Sequence, residues 1–181
     1  MIGYDTLVRD LAIEHRARAA LRSLMAAGSA ATPAVRRGLA HTDPRVRARC
    51  CDVLDHFLDA DAIPGLMANL RHPHAGVRAR ALHALACDRC KEGSCRPAES
   101  AVISEAFRLV RDDPDRYVRK AAVEALGPAV HRREDVLEAL IAARDGDADS
   151  LVRKVASWHC PGGPIYEGRP SRSGRLRPAS R

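Results

Sequence analysis

The sequence predicts an all-α protein, an α-solenoid of about five stacked antiparallel helix pairs. Three observations predict it. Apolar residues recur at helical rather than alternating spacing. Ala and Leu, both strong helix formers, supply most of them, while aromatics make up only 3% of the chain. The best-formed helical stretch has weaker copies on both sides, with periods of 29, 31, 41 and 34 residues between anchors. A helix pair of that length cannot bury its own apolar stripe, so neighbouring pairs must stack. With 181 residues, the chain is long enough for one domain or one short array with a real core.

The reference copy is residues 113–127, DPDRYVRKAAVEALG. Val118, Ala121, Ala122, Ala125 and Leu126 fall at i, i+3, i+4, i+7 and i+8, a single apolar stripe on a helix. Asp115 sits where an N-cap belongs, and Gly127 where a helix can end. Aligning Val118 with Ala17, Val46, Val77 and Val152 recovers the stripe in the other copies, and each anchor is followed by Arg: Arg18, Arg47, Arg78, Arg119 and Arg153.

In chain order, a shorter apolar segment precedes each of these helices and reads as its partner. The first holds Leu7, Val8 and Leu11, the second Val35 and Leu39, the third Ile63, Leu66, Met67 and Leu70. The fourth holds Val102, Ile103, Ala106, Phe107 and Val110, and the fifth Val136, Leu137, Leu140 and Ile141. Pro33 after Thr32 and Pro44 after Asp43 follow the pattern of Pro at the first helical position behind a capping side chain. The five pairs span residues 4–160, leaving 161–181 as a basic, disordered tail without apolar period.

The motif DPDRYVRKAAVEAL, with HTDPRVRARCCDVL, HPHAGVRARALHAL and DADSLVRKVA, resembles the HEAT repeat, in particular the short bacterial form of phycobilisome-lyase-like HEAT proteins. The resemblance covers nearly the whole body of the chain. It implies antiparallel helix pairs whose second helices line a concave face. It also implies a ladder in which the Asp of one turn bonds the Arg of the same or an adjacent repeat. Asp113 with Arg119 and Asp147 with Arg153 have that spacing, whereas His41 stands before Arg47 and His72 before Arg78. An Arg in the opening turns of a helix faces the positive end of the helix dipole and needs an acidic neighbour or a bound anion. The row therefore reads as internal support, with a phosphate-binding row as the alternative.

The 41-residue period is too long, and the excess falls on Cys87, Cys90 and Cys95, an insertion at 87–97. Cys87 and Cys90 have the C-x2-C spacing with which two thiolates grip one ion, Gly93 permits a reversal, and Cys95 can return as a third ligand. Arg89, Lys91 and Arg96 favour thiolates at this turn. A zinc or iron-sulfur site, a redox thiol cluster and an inert loop are all compatible with these residues. Candidate fourth ligands on the same edge are His56 and His131. Cys50 and Cys160 align with core positions of the other copies and read as buried thiols, and Cys51 carries no signal.

The formal charge is +7, but the last 21 residues hold five Arg against one Glu and account for +4 of it. The body is thus only mildly basic, and its helices mix Asp52, Asp55, Asp59 and Glu124 with their Arg. With aromatics scarce, that pattern argues against a nucleic-acid groove. No metalloprotease, nucleophile-elbow, P-loop or dinucleotide motif is present. No apolar run approaches a membrane span and the first residues lack a signal-peptide pattern, so the expected compartment is the cytoplasm. The reading is a non-catalytic scaffold that binds another protein through its concave surface, with a metal or thiol site at the Cys turn. The alternatives are a nucleic-acid-binding, DNA glycosylase-like protein, with the basic tail adding affinity, and a chromophore-lyase-like subunit, the latter implied by the resemblance alone.

Overall fold

Four of the five second helices start on a capping side chain; the first of them, Glu14–Ala27, has none. In the computed structural model, which describes residues 3–87 and 99–168, Asp43 accepts the Arg45 N–H at 2.8 Å and opens α4 (Pro44–His56). His74 accepts the Gly76 N–H at 3.2 Å and opens α6 (Ala75–Ala86). Asp115 accepts from Tyr117 and Val118 and opens α8 (Arg116–Leu126), and Asp149 accepts from Leu151 and opens α10 (Ser150–Trp158). These caps satisfy backbone donors that a helix start leaves unpaired.

Each of these helices follows a partner: α3 (Thr32–Gly38), α5 (Ile63–Asn69), α7 (Glu99–Asp112) and α9 (Glu134–Gly146). The first pair is α1 (Tyr4–Asp10) and α2 (Glu14–Ala27), and α11 (Pro164–Gly168) follows α10. Among the described residues there is no strand, and no helix is long and apolar enough to cross a membrane.

Two units can be described separately, residues 1–105 and 106–181. In the first, α1 packs on α2, α3 on α4 and α5 on α6, and α4 against α6 forms the most extensive interface. α4 lies at the centre, with Val46, Cys50, Cys51, Val53 and Leu54 all fully buried. Gly38 lets α3 approach it closely: a Cβ there would run into Cys50 Sγ and Val8. In the second unit α8, α9 and α10 pack on one another around Val118, Ala122, Leu126, Leu140, Val152 and Val155.

Three local expectations are corrected. Gly127 follows α8, but its backbone stays right-handed (φ −47°), so no left-handed cap requires a glycine. The space does: a Cβ there would collide with the His159 ring. Thr32 does not cap α3, since its hydroxyl donates to the Phe57 carbonyl at 3.4 Å. Residues 164–168 of the expected tail form α11, held where Glu167 accepts the Gly162 N–H at 2.9 Å; the tail beyond residue 168 lies outside the described residues.

Candidate functional site

The Arg row has a common grip. Arg47 donates to the His41 carbonyl at 2.6 Å, Arg78 to that of His72 at 2.9 Å, Arg119 to that of Asp113 at 2.9 Å and Arg153 to that of Asp147 at 2.7 Å. Each guanidinium thus ties its helix to the turn that leads into it. The side chain six residues before the Arg does something else: it accepts the N–H two residues on. Asp113 and Asp147 do so at 2.9 and 2.8 Å, and the Nδ1 atoms of His41 and His72 do so at 3.0 Å each. The change from Asp to His in the first half therefore leaves the row uninterrupted.

Contacts between repeats add to this. Arg119 forks onto the Asp147 carboxylate at 2.8 and 3.0 Å. Burial of Asp147 alone would raise its pKa, but the Arg119 fork and the Asp149 N–H hold it below the usual carboxylate value. Arg47 instead donates to Asn69 Oδ1 at 3.0 Å, and the buried Asn69 amide donates in turn to the Leu39 carbonyl at 3.1 Å.

Of the predicted metal ligands, Cys90 and Cys95 lie outside the described residues. Cys87 is half-buried and caps the C-terminus of α6. The side chains brought to it are Asp55 and His83: the donor atoms of the three lie within 4.8 Å of one another. Nε2 of His83 stands 3.5 Å from Oδ2 of the buried Asp55, and Nε2 of His56 stands 4.0 Å from the same oxygen. His56 is thus a neighbour of the cluster through Asp55. His131 is engaged elsewhere: its Nε2 is 3.0 Å from the Tyr166 carbonyl, and its ring lies 4.3 Å from that of Tyr166.

Sequence reasoning missed Asp55 and His83. The signal was there in two spacings. His83 and Cys87 are four apart and so share a helix face, and Asp55 precedes His83 by the same 28 residues that separate Asp52 from Arg80, an ion pair at 2.5 Å.

The remaining thiols are structural. Cys50, Cys51 and Cys160 are fully buried. Burial pushes the Cys50 thiol up to about 12 and raises those of Cys51 and Cys160 as well, so none is a thiolate near neutrality.

The outward faces of the second helices carry both signs of charge. In the second unit, Arg116 lies 4.8 Å from the ring centre of Tyr117, which is 54% exposed. Arg116 also reaches Asp149 at 3.2 Å, and Lys120 pairs with Glu124 at 2.7 Å. On the neighbouring α10, Lys154 lies 5.8 Å from the ring centre of Trp158. In the first unit, besides Asp52–Arg80, Arg45 forks onto Asp43.

Residues 4–86 match the family model of HEAT repeats, which covers the first three helix pairs. A chain in the structure of the complex of CpcE and CpcF of phycocyanin lyase from Nostoc sp. PCC7120 has the same fold, with a TM-score of 0.71 and 18% identity over 86% of this chain and 96% of that one. Two engineered proteins resemble it less closely, each at a TM-score of 0.53 over 87% of this chain, with 18% and 21% identity over 77% and 79% of their own lengths. No curated protein matches the sequence.

Proposed function

We propose that this HEAT-repeat protein is a non-catalytic cytoplasmic scaffold that binds another protein through the outward faces of its second helices. The observation that carries the reading is the surface of α8 and α10. Two packed helices there display Tyr117 and Trp158, each with a cation on its ring. Tyr, Trp and Arg are the side chains that dominate protein interfaces, because they bury large areas at little entropic cost and keep a polar handle. The charges around them are already paired within the chain, as Arg116 with Asp149 and Lys120 with Glu124. A surface of this kind suits a partner with both signs of charge better than a uniformly anionic polymer. The solved complex of CpcE and CpcF supports the capacity of this fold to present a partner surface. A lyase-like role has weaker support, since it rests on that likeness in fold alone.

The test is affinity capture from the native host with the full-length chain as bait, in wild-type form and as Tyr117→Ala/Trp158→Ala. The expected outcome is a stoichiometric protein partner retained by the wild type and lost at least tenfold by the double variant, with its circular dichroism unchanged. Equal retention by both would move the interface off α8 and α10, and nuclease-sensitive capture would favour the nucleic-acid reading.

A further inference from the structure

Three unlike metal-binding donors meet where α4 and α6 end, and we propose that Asp55, His83 and Cys87 form a site for a divalent transition-metal ion of the zinc type. Donor chemistry is the first argument. A carboxylate, a neutral imidazole and a thiolate are the three side-chain ligands zinc accepts, and together they carry two negative charges that a divalent cation neutralises. Geometry is the second. In a tetrahedral zinc site with bonds of about 2.0–2.3 Å, ligand atoms lie about 3.3–3.8 Å apart. Nε2 of His83 and Oδ2 of Asp55 already stand at 3.5 Å. The full set spans no more than 4.8 Å, so the remaining closure is within reach of side-chain rotation.

The backbone supplies the third argument. Asp55 is the penultimate residue of α4, His83 lies in the last turn of α6, and Cys87 is its C-cap. Both helices therefore present their C-terminal ends here, where the aligned peptide dipoles place partial negative charge. That field disfavours a carboxylate and favours a cation. Asp55 is nonetheless one of few charged residues buried among those described, at 5% exposed. One turn earlier on the same two helices, Asp52 pairs with Arg80, a permanent cation, and is more exposed than Asp55. At the helix ends the sequence places a histidine and a thiol opposite the buried acid instead, which is a ligand set rather than a simple ion pair.

Three protein donors leave a fourth position for water or another ligand. His56, 4.0 Å from Asp55, is placed as a neighbour that orients the carboxylate. The site is independent of the partner surface proposed for α8 and α10.

The test is cobalt titration of the full-length chain, purified reduced and metal-free, followed by competition with zinc. The expected result is one equivalent of cobalt bound with a thiolate-to-cobalt charge-transfer band, displaced by one equivalent of zinc. His83→Ala, Asp55→Asn and Cys87→Ser should each weaken binding by about tenfold or more, the scale on which even indirect partners of metal ligands act. His83 is 60% exposed, so its removal leaves the fold intact and decides the matter if Asp55→Asn fails to fold. Wild-type affinity in His83→Ala overturns the proposal. In that case, loss of binding in Cys90→Ser/Cys95→Ser assigns the ion to the thiols of 87–95. Failure of the wild-type chain to bind cobalt or zinc overturns it as well.

Discussion

Arg119 shows what a single residue of the repeat does. Its side chain is 13% exposed, that of Asp147 only 6%, and the two share a bidentate fork while the same guanidinium donates to two carbonyls of the preceding turn. Truncating one partner of such a pair leaves the other charge buried without compensation, which costs about 3–5 kcal/mol. Arg119→Ala should therefore lower the unfolding free energy by about 3 kcal/mol, read as a shift of the urea midpoint at constant slope. A loss below about 0.5 kcal/mol, as at an unremarkable surface site, would show that the row is not internal support and would revive the anion-binding alternative. The sign of the acid response follows from the same pair. Asp147 has its pKa lowered from 3.8 in the folded chain. Its contribution is complete above that value and fades as pH falls through the lower, folded one.

At the scale of the element, the turn that opens α4, α6, α8 and α10 behaves as a small device with interchangeable parts. One side chain accepts the N–H two residues on, the next but one caps the helix, and the Arg six residues on grips the first residue's carbonyl. Asp fills the first role before α8 and α10, and His fills it before α4 and α6. A histidine Nδ1 can accept only when it carries no proton, so the substitution adds a pH response. Burial, with Arg47 and His74 nearby, lowers the His72 pKa from 6.5. The unfolded chain then binds the proton more readily. Stability from this turn is complete above about 6.5 and is lost as pH falls through the folded value. His72→Asp should flatten the fall in melting temperature between about pH 7.5 and 5, because an Asp stays charged and accepting across that range. An unchanged pH profile in the variant would mean that other groups set the acid response.

The same turns explain how far the sequence was legible. The period, the apolar stripes and the caps at Asp43 and Asp115 are local properties of contiguous residues, and they located the second helices. The roles of individual residues within the turn depend on directions that spacing does not encode. Asp six residues before Arg reads as a side-chain pair, yet the Arg grips the backbone there, and Arg119 turns its fork to Asp147 of the next repeat. Gly127 reads as a helix stop by conformation, and its actual constraint is the His159 ring arriving from 32 residues away. Asp55 and His83 were missed for a related reason. Each is unexceptional on its own helix, and only the packing of α4 on α6 brings them together at Cys87.

Charge is the property that belongs to the whole molecule. Five Arg against one Glu in the last 21 residues carry +4 of the net +7, and all five follow residue 168. Within the described helices, by contrast, basic side chains repeatedly meet acids: Arg36 with Asp61, Arg37 with Asp5, Arg80 with Asp52, Arg116 with Asp149. Paired cations release few counterions when they meet a polyanion, so affinity for nucleic acid must come chiefly from the end of the chain and fall steeply with salt. Titration of labelled duplex DNA with the full-length chain and with a chain ending at Gly168 separates the two contributions. The full-length chain should bind at low ionic strength with a log–log salt slope of about −4, near the value for the release expected from five phosphate contacts. The shortened chain should show no binding at about 0.15 M salt, where the screening length is already about 8 Å. Sub-micromolar binding by the shortened chain at that salt concentration would instead locate a nucleic-acid surface on the repeats themselves and overturn the protein-binding role proposed for them.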